Sequence, residues 1–167
     1  MSGFTENRAS GASERSEPPG RMLTWHASRA MLPLVGRIAS DVVRHQERLG
    51  RLRPEMAALE EKRLALAWPQ RARRYQLEEE IAAAEAESRA AAAELDALGV
   101  ALLDPAAGLV GFPTLVNQRR AYFTWRPGEE TLAWWSYAGD RQRRPVPEDW
   151  TEEPREQRPR RSRSRKK

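Results

Sequence analysis

The sequence predicts a mainly helical α+β fold: a long antiparallel, coiled-coil-like helical hairpin, then a small antiparallel β-meander and a disordered basic C-terminal tail. Three observations lead to this prediction. Apolar residues recur at alternating steps of three and four between Val35 and Leu98, the spacing of helices packed along a seam. After Gly99 the apolar residues alternate with period two, which is typical of strands. The last ten residues are too basic and polar to form a core.

The two arms of the hairpin differ in bulk. Eight of the ten seam positions in the first arm are apolar, the exceptions being His45 and Arg63. The second arm has eight alanines between Ala82 and Ala93, which give it high helix propensity. Large residues facing small ones let two helices approach closely. The first seam consists of Val35, Ile38, Val42, His45, Leu49, Leu52, Met56, Leu59, Arg63 and Leu66, and the predicted helices span about 33–64 and 69–98.

Pro69 favours a hairpin over one continuous rod. Inside a helix it would clash with the preceding turn, at a cost of about 3 kcal/mol, whereas the first turn of a new helix accepts it. We therefore expect a turn at Ala65–Trp68 and antiparallel arms. The first seam continues in phase through Pro54, and we expect a kink there rather than a break.

The predicted domain occupies residues 23–138. Residues 1–22 are polar, lack a period and are predicted to be disordered, with Met22 as an alternative start. Leu23–Leu32 suits a short helix capped by Thr24, with Pro33 beginning the long arm. Residues 139–167 are rich in Arg, Pro and Glu and are predicted to be mostly disordered, with Trp150 as an isolated aromatic residue.

The sheet is predicted within residues 100–137 as a meander of about three strands. Phe123 and Trp125 alternate with Tyr122 and Thr124, which places the two pairs on opposite faces. Gly128 can close the following hairpin loop. So small a sheet is marginal alone and must pack one aromatic face against the helices.

Charge and composition limit the classes of function. Subtracting the seven charges of the last ten residues from the net charge of +5 leaves −2 for the rest, so the basic character belongs to the tail. The chain has no cysteine, no apolar run long enough to cross a membrane and no apolar signal segment at its N-terminus. We expect a cytoplasmic protein with no membrane partner.

The segments after the hairpin resemble an uncharacterised bacterial family catalogued as domain of unknown function twenty-two-oh-three. The resemblance covers about residues 23–146. It is carried by Leu23–Pro33, Gly99-Val100, Gly111–Pro113, Trp125–Glu129 and Trp134-Trp135 and, more loosely, by Arg143–Pro145. It implies a helical hairpin with a small sheet and no particular activity. This chain departs from the family pattern in having Gly111 for an Asp, Thr124 for a Cys, Ser136 for a His and His26-Ala27 for two acids.

No catalytic, cofactor or metal site is predicted. His26 and His45 are the only histidines, and a metal site needs several converging ligands. We expect His45 to be hydrogen-bonded within the helical seam. No nucleophile–base pair or phosphate-binding loop is present in the sequence, so we expect the protein not to be an enzyme.

Two kinds of surface remain as candidates for binding. The first is the sheet face that does not cover the helices, where we expect an exposed aromatic patch that binds protein. Its predicted residues are Tyr122, Arg126, Trp135 and Tyr137. The second is the tail, which would bind RNA or DNA without sequence preference. Its predicted residues are Arg158, Arg160, Arg161, Arg163, Arg165, Lys166 and Lys167.

The leading hypothesis is therefore a non-enzymatic module for protein interaction or self-assembly. Apolar residues outside the seams, such as Leu34, Val43 and Leu64, would allow a homodimer through the helices. The alternative is a nucleic-acid-associated accessory protein acting through its tail. A small-ligand role for the Trp125–Trp135 sheet is a third hypothesis. The sequence names neither the partner nor the oligomeric state.

Overall fold

A computed structural model describes residues 21–152. It confirms the predicted fold class, with two long helices followed by a small antiparallel sheet. Helix α1 spans Trp25–Glu61 and helix α2 spans Trp68–Ala97. Strands β1 (Ala101–Asp104), β2 (Leu109–Val116), β3 (Arg119–Trp125), β4 (Trp134–Tyr137) and β5 (Arg144–Pro145) follow, and a short helix α3 (Glu148–Thr151) closes the described chain.

The first helix is longer at its N-terminus than predicted. The segment before Pro33 and the long arm form one helix, which also runs through Pro54. Thr24 caps it as expected, since its Oγ1 accepts a hydrogen bond from Ala27 N at 3.2 Å. Trp25 anchors the first turn in the core, and its Nε1 donates to Leu132 O at 2.8 Å. This anchoring fixes the turn before Pro33, which the sequence pattern alone did not show.

The two long helices form the expected antiparallel hairpin. Gln46 Nε2 of α1 donates to Ser88 Oγ of α2 at 3.0 Å. Seven residues further along α1, Arg53 pairs at 2.9 Å with Glu85, which comes before Ser88 in α2, so the two helices run in opposite directions. The turn lies at residues 62–67, slightly earlier than predicted, and includes a 3₁₀ turn at Arg63–Ala65. His45 is a seam residue as expected, with its Nδ1 3.2 Å from a carboxylate oxygen of Glu87.

The sheet has five strands in the order β1-β2-β3-β4-β5, rather than about three. Asn117 and Gln118 connect β2 to β3 with φ values of 50° and 61°, which fit a tight hairpin turn. Pro113 lies within β2, which pairs on both sides. Residue Val110 pairs with Trp125 and Phe112 with Phe123, so their side chains share the face that covers the helices.

The core lies between this inner face and the proximal parts of the two helices. Its most completely buried apolar residues come from both layers. Bringing α1, α2 and the sheet together removes a continuous apolar surface from water, which is the main stabilising contribution in a domain of this size. The core consists of Trp25, Val35, Ile38, Ala39, Val42, Ala91, Leu95, Val100, Val110, Phe112, Val116, Ala121, Phe123, Trp125, Leu132 and Trp135.

The ordered fold continues past residue 138, where the sequence placed the start of the tail. Strand β5 pairs with β4, and the Trp150 ring of α3 lies 5.4 Å from that of Trp135 and 6.2 Å from that of Phe123. The prediction of disorder from 139 onward was wrong for residues up to 152, because Trp150 completes the aromatic core. The predicted tail residues from 158 onward and the predicted disorder of residues 1–20 lie outside the described residues.

Candidate interaction surface

The outer face of the sheet, away from the helices, carries an apolar patch. Three of its side chains keep substantial exposure: Leu115 is 53% exposed, Leu103 is 39% and Trp134 is 37%. Tyr122 is half-buried between them. We call this set the outer patch, with Pro113 included, because alternate residues of β2 and β3 point to this side.

Gly111 lies beneath the outer patch and lets its side chains settle close to the sheet. A Cβ atom at this position would lie 2.9 Å from the Tyr122 ring and 2.9 Å from Leu103 Cδ1. Tyr122 and Leu103 thus occupy the space above the backbone of Gly111. Where the family pattern has an Asp, this chain has Gly111, and the apolar side chains of Tyr122 and Leu103 occupy the space that the Asp side chain would take.

Two of the other departures from the family pattern, Thr124 and Ser136, lie on the same face. Thr124 is the register partner of both Gly111 and Trp134, and Ser136 is the partner of Tyr122. All of these positions share the outer face. Thr124 is fully buried and Ser136 is 4% exposed. The structure therefore brings together, on one face, three positions that are far apart in the sequence.

Arg143 covers Thr124 and borders the outer patch. Its Nε donates to Thr124 Oγ1 at 3.0 Å, and its guanidinium lies 5.4 Å from the centre of the Trp134 ring. Two further nitrogens donate to the Glu129 carboxylate, at 2.6 and 2.8 Å. No periodic pattern points to this residue, which stands in an arginine-rich segment outside the predicted sheet.

Glu129 is held by two arginines at the start of the β3–β4 loop. Its Oε2 accepts a hydrogen bond from Arg126 N at 3.2 Å, and its backbone carbonyl accepts one from Trp125 Nε1 at 2.9 Å. Burial alone would raise the pKa of the Glu129 carboxyl, but the hydrogen bonds and charge of Arg143, with a smaller contribution from Arg126, hold it below its usual 4.5. This network fixes the loop against the sheet.

The four predicted protein-binding residues do not form one surface. Tyr122 lies on the outer face as expected. Arg126 is exposed in the β3–β4 loop, with its Nε 3.3 Å from the Glu129 carboxylate. Trp135 pairs with Phe123 and is 8% exposed in the core, so its assignment to the exposed patch was wrong. Tyr137 lies on the same sheet face as Trp135, at the margin of the core. The guanidinium of Arg119 is 4.2 Å from the centre of the Tyr137 ring.

Trp135 was assigned to the wrong face because the strand register was unknown. The alternation within β4 follows from the sequence, but which of its two tryptophans faces the helices does not. Pairing Trp135 with Phe123 turns Trp134 outward instead. The exposure of Leu103 and Leu115 was not predicted either, since exposed apolar residues in strands cannot be told from core residues by type alone.

The described residues carry neither a cluster of metal ligands nor a membrane-spanning helix. Residues 21–152 contain no group of three or more His, Cys, Asp and Glu side chains placed to hold a metal ion. Within the same residues, no helix combines the length and the hydropathy of a membrane-spanning segment. The seven predicted nucleic-acid-binding residues of the tail lie beyond these residues.

Comparison with known proteins finds one family. A family model described as "Uncharacterized conserved protein (DUF2203)" matches residues 21–146, which includes both helices and all five strands. No curated protein and no solved structure matches the chain.

Proposed function

The chain belongs to the family of uncharacterized conserved proteins DUF2203, and we propose that it is a non-enzymatic protein-interaction module that binds its partner across the outer patch. The observation that carries the proposal is the continued exposure of Leu103, Leu115 and Trp134 on a well-paired sheet face. Contiguous exposed apolar patches of several hundred Å² commonly mark binding sites.

The size of the face indicates the kind of partner. Five strands about 4.8 Å apart, and a longest strand of eight residues, define a face of about 20 by 25 Å. That face of about 500 Å² is smaller than the roughly 600–1,000 Å² which one partner contributes to a specific, stable interface. We therefore expect a short apolar segment of another protein rather than an extensive obligate dimer.

The polar groups of the site support binding rather than chemistry. Glu129 is engaged by Arg143 and Arg126, and the Thr124 hydroxyl is engaged by Arg143. These groups stabilise the loop and the sheet by hydrogen-bonding to one another. A rigid face with aromatic and Arg side chains has the composition of binding hot spots.

Site-specific photo-crosslinking tests this proposal. A photoreactive phenylalanine analogue at Leu115 should give a discrete crosslinked protein in cells, while the same analogue at Glu79, on the exposed side of α2, should not. The partner segment identified by mass spectrometry should then bind the purified chain. Crosslinking at Glu79 to the same protein, or none at Leu115, would contradict the proposal.

The basic tail remains the second candidate function. Arg158–Lys167 has seven basic side chains and no acid, so we propose as the alternative that it binds RNA or DNA non-specifically by releasing counterions. Truncation after Glu153 should then abolish retention on nucleic acid at low salt. We also propose a cytoplasmic location, which cell fractionation tests.

A further inference from the structure

The end of the hairpin distant from the sheet exposes large apolar side chains. We call residues 62–75 the hairpin tip. Within it, Leu64 is 96% exposed, Trp68 is 74% and Tyr75 is 58%. Trp68 and Tyr75 are seven residues apart in α2 and so lie on the same helix face. These are the three most exposed large apolar residues in the described chain, and they all belong to the same end.

The exposure of Leu64 follows from a defined turn. Leu66 is 4% exposed and anchors the connection, while Ala65 N donates to Lys62 O at 2.8 Å. Arg71 Nε donates to Leu66 O at 2.9 Å, which ties α2 to the turn. The hydrogen-bonded turn therefore holds Leu64 outward while its neighbour Leu66 packs inward.

The outermost charges of the hairpin tip are positive. Residues 62–74 contain five basic side chains and no acidic one, and the exposed Glu61 directly precedes them at the end of α1. Three of them pair with glutamates set further back along the helices: Arg63 with Glu60, Arg73 with Glu55 and Glu80, and Arg74 with Glu60 and Glu78. Among the described residues, no carboxylate partner lies within ion-pair distance of Lys62 or Arg71.

The shape of the tip limits what can cover it. The end of two packed helices, each about 10 Å across, offers roughly 200 Å², well below the area of about 800 Å² that each partner gives to a stable protein interface. A lipid interface has no such minimum area and needs no complementary groove. Trp and Leu side chains bind at the level of the headgroups, and basic residues reach the phosphates.

We propose that the hairpin tip binds the surface of bilayers containing anionic phospholipid. Leu64 and Trp68 enter the interface, and Lys62 and Arg71 contact headgroup phosphates. This surface is separate from the outer patch and goes beyond the proposed function. The expectation of no membrane partner followed from the absence of a spanning segment, which a surface-bound tip does not need. Among residues 21–152, Lys62 and Arg71 are the two cations of the tip without a carboxylate partner, so the binding should be reversible and should weaken with salt.

Vesicle flotation of the full chain tests the proposal. The probes are vesicles of phosphatidylcholine alone and of equimolar phosphatidylcholine and phosphatidylglycerol. The variant L64S/W68S keeps every charge, including those of residues 158–167, and should bind the anionic vesicles at least about tenfold less than wild type. The matched control L34S/L115S, which replaces residues that are 49% and 53% exposed elsewhere, should bind as wild type does.

Fluorescence gives a second readout at the tip itself. Anionic vesicles should shift the tryptophan emission of the wild-type chain to shorter wavelength, and W68F should lose most of that shift. Equal flotation of wild type and L64S/W68S would overturn the proposal. So would absence of wild-type binding, or binding that disappears only on truncation after Glu153, which would place the contact in the C-terminal residues.

Discussion

Arg143 and Glu129 form a two-bond ion pair that ties the chain before β5 to the loop between β3 and β4. The nitrogen–oxygen distances are 2.6 and 2.8 Å, and both side chains are less than a fifth exposed. Planar, two-bond pairing with a carboxylate is a geometry that Arg provides and Lys does not. The pair borders Trp134 and so helps to define one side of the outer patch.

Glu129→Gln should destabilise the fold by about 1–3 kcal/mol at neutral pH, because it removes the charge that compensates a largely buried guanidinium. Urea unfolding of wild type and variant measures the difference. Arg126→Gln is the control, since the Arg126 side chain is 56% exposed and its loss should change stability by less than about 0.5 kcal/mol. Equal effects of the two variants would refute the assigned role of Arg143.

The same pair should give stability a defined pH dependence. The folded-state pKa of Glu129 lies below its usual 4.5, so its contribution is fully present above that value and is lost as the pH falls through the folded-state pKa. The difference in unfolding free energy between wild type and Glu129→Gln should therefore shrink on acidification below 4.5. A difference that stays constant down to pH values where both states are protonated would contradict this reading.

Gly111→Ala should destabilise the chain by about 1–3 kcal/mol, because the added Cβ would collide with the Tyr122 ring and Leu103. Gly50→Ala is the matched control. Gly50 lies inside α1 with nothing within 4 Å of its added Cβ, so that change should stabilise by about 0.5–1 kcal/mol. Thermal unfolding of both variants measures the contrast, and the prediction fails if Gly111→Ala is neutral.

Arg73 links the distal parts of the two long helices. It contacts Glu55 of α1 at 2.7 Å and Glu80 of α2 at 3.0 Å, and its hydrogen bonds and charge lower the pKa of the Glu55 carboxyl. Arg73→Gln should return the pKa of Glu55 toward 4.5, as measured by NMR titration of the side-chain carboxyl. An unchanged titration of Glu55 would show that the two helices do not hold this contact in solution.

The hairpin could be predicted from sequence because its signals are local and periodic. Pro69 and the seam from Val35 onward determine two antiparallel helices whatever the sheet does. The outer patch could not be predicted in full, because it depends on the pairing of Trp135 with Phe123 and on Trp150 returning to the core from a charged segment. Both are long-range contacts that no periodicity encodes. Arg143 was missed for the same reason, since its partners lie 14 and 19 residues away.

The affinity of the purified chain for the partner segment captured at Leu115 measures whether the outer patch is the binding surface. Isothermal titration should show binding that is at least about tenfold weaker for Leu115→Ser and for Trp134→Ser, and unchanged for Leu64→Ser at the distant hairpin tip. Wild-type affinity in both outer-patch variants, or a loss confined to Leu64→Ser, would show that the outer face of the sheet is not the binding surface.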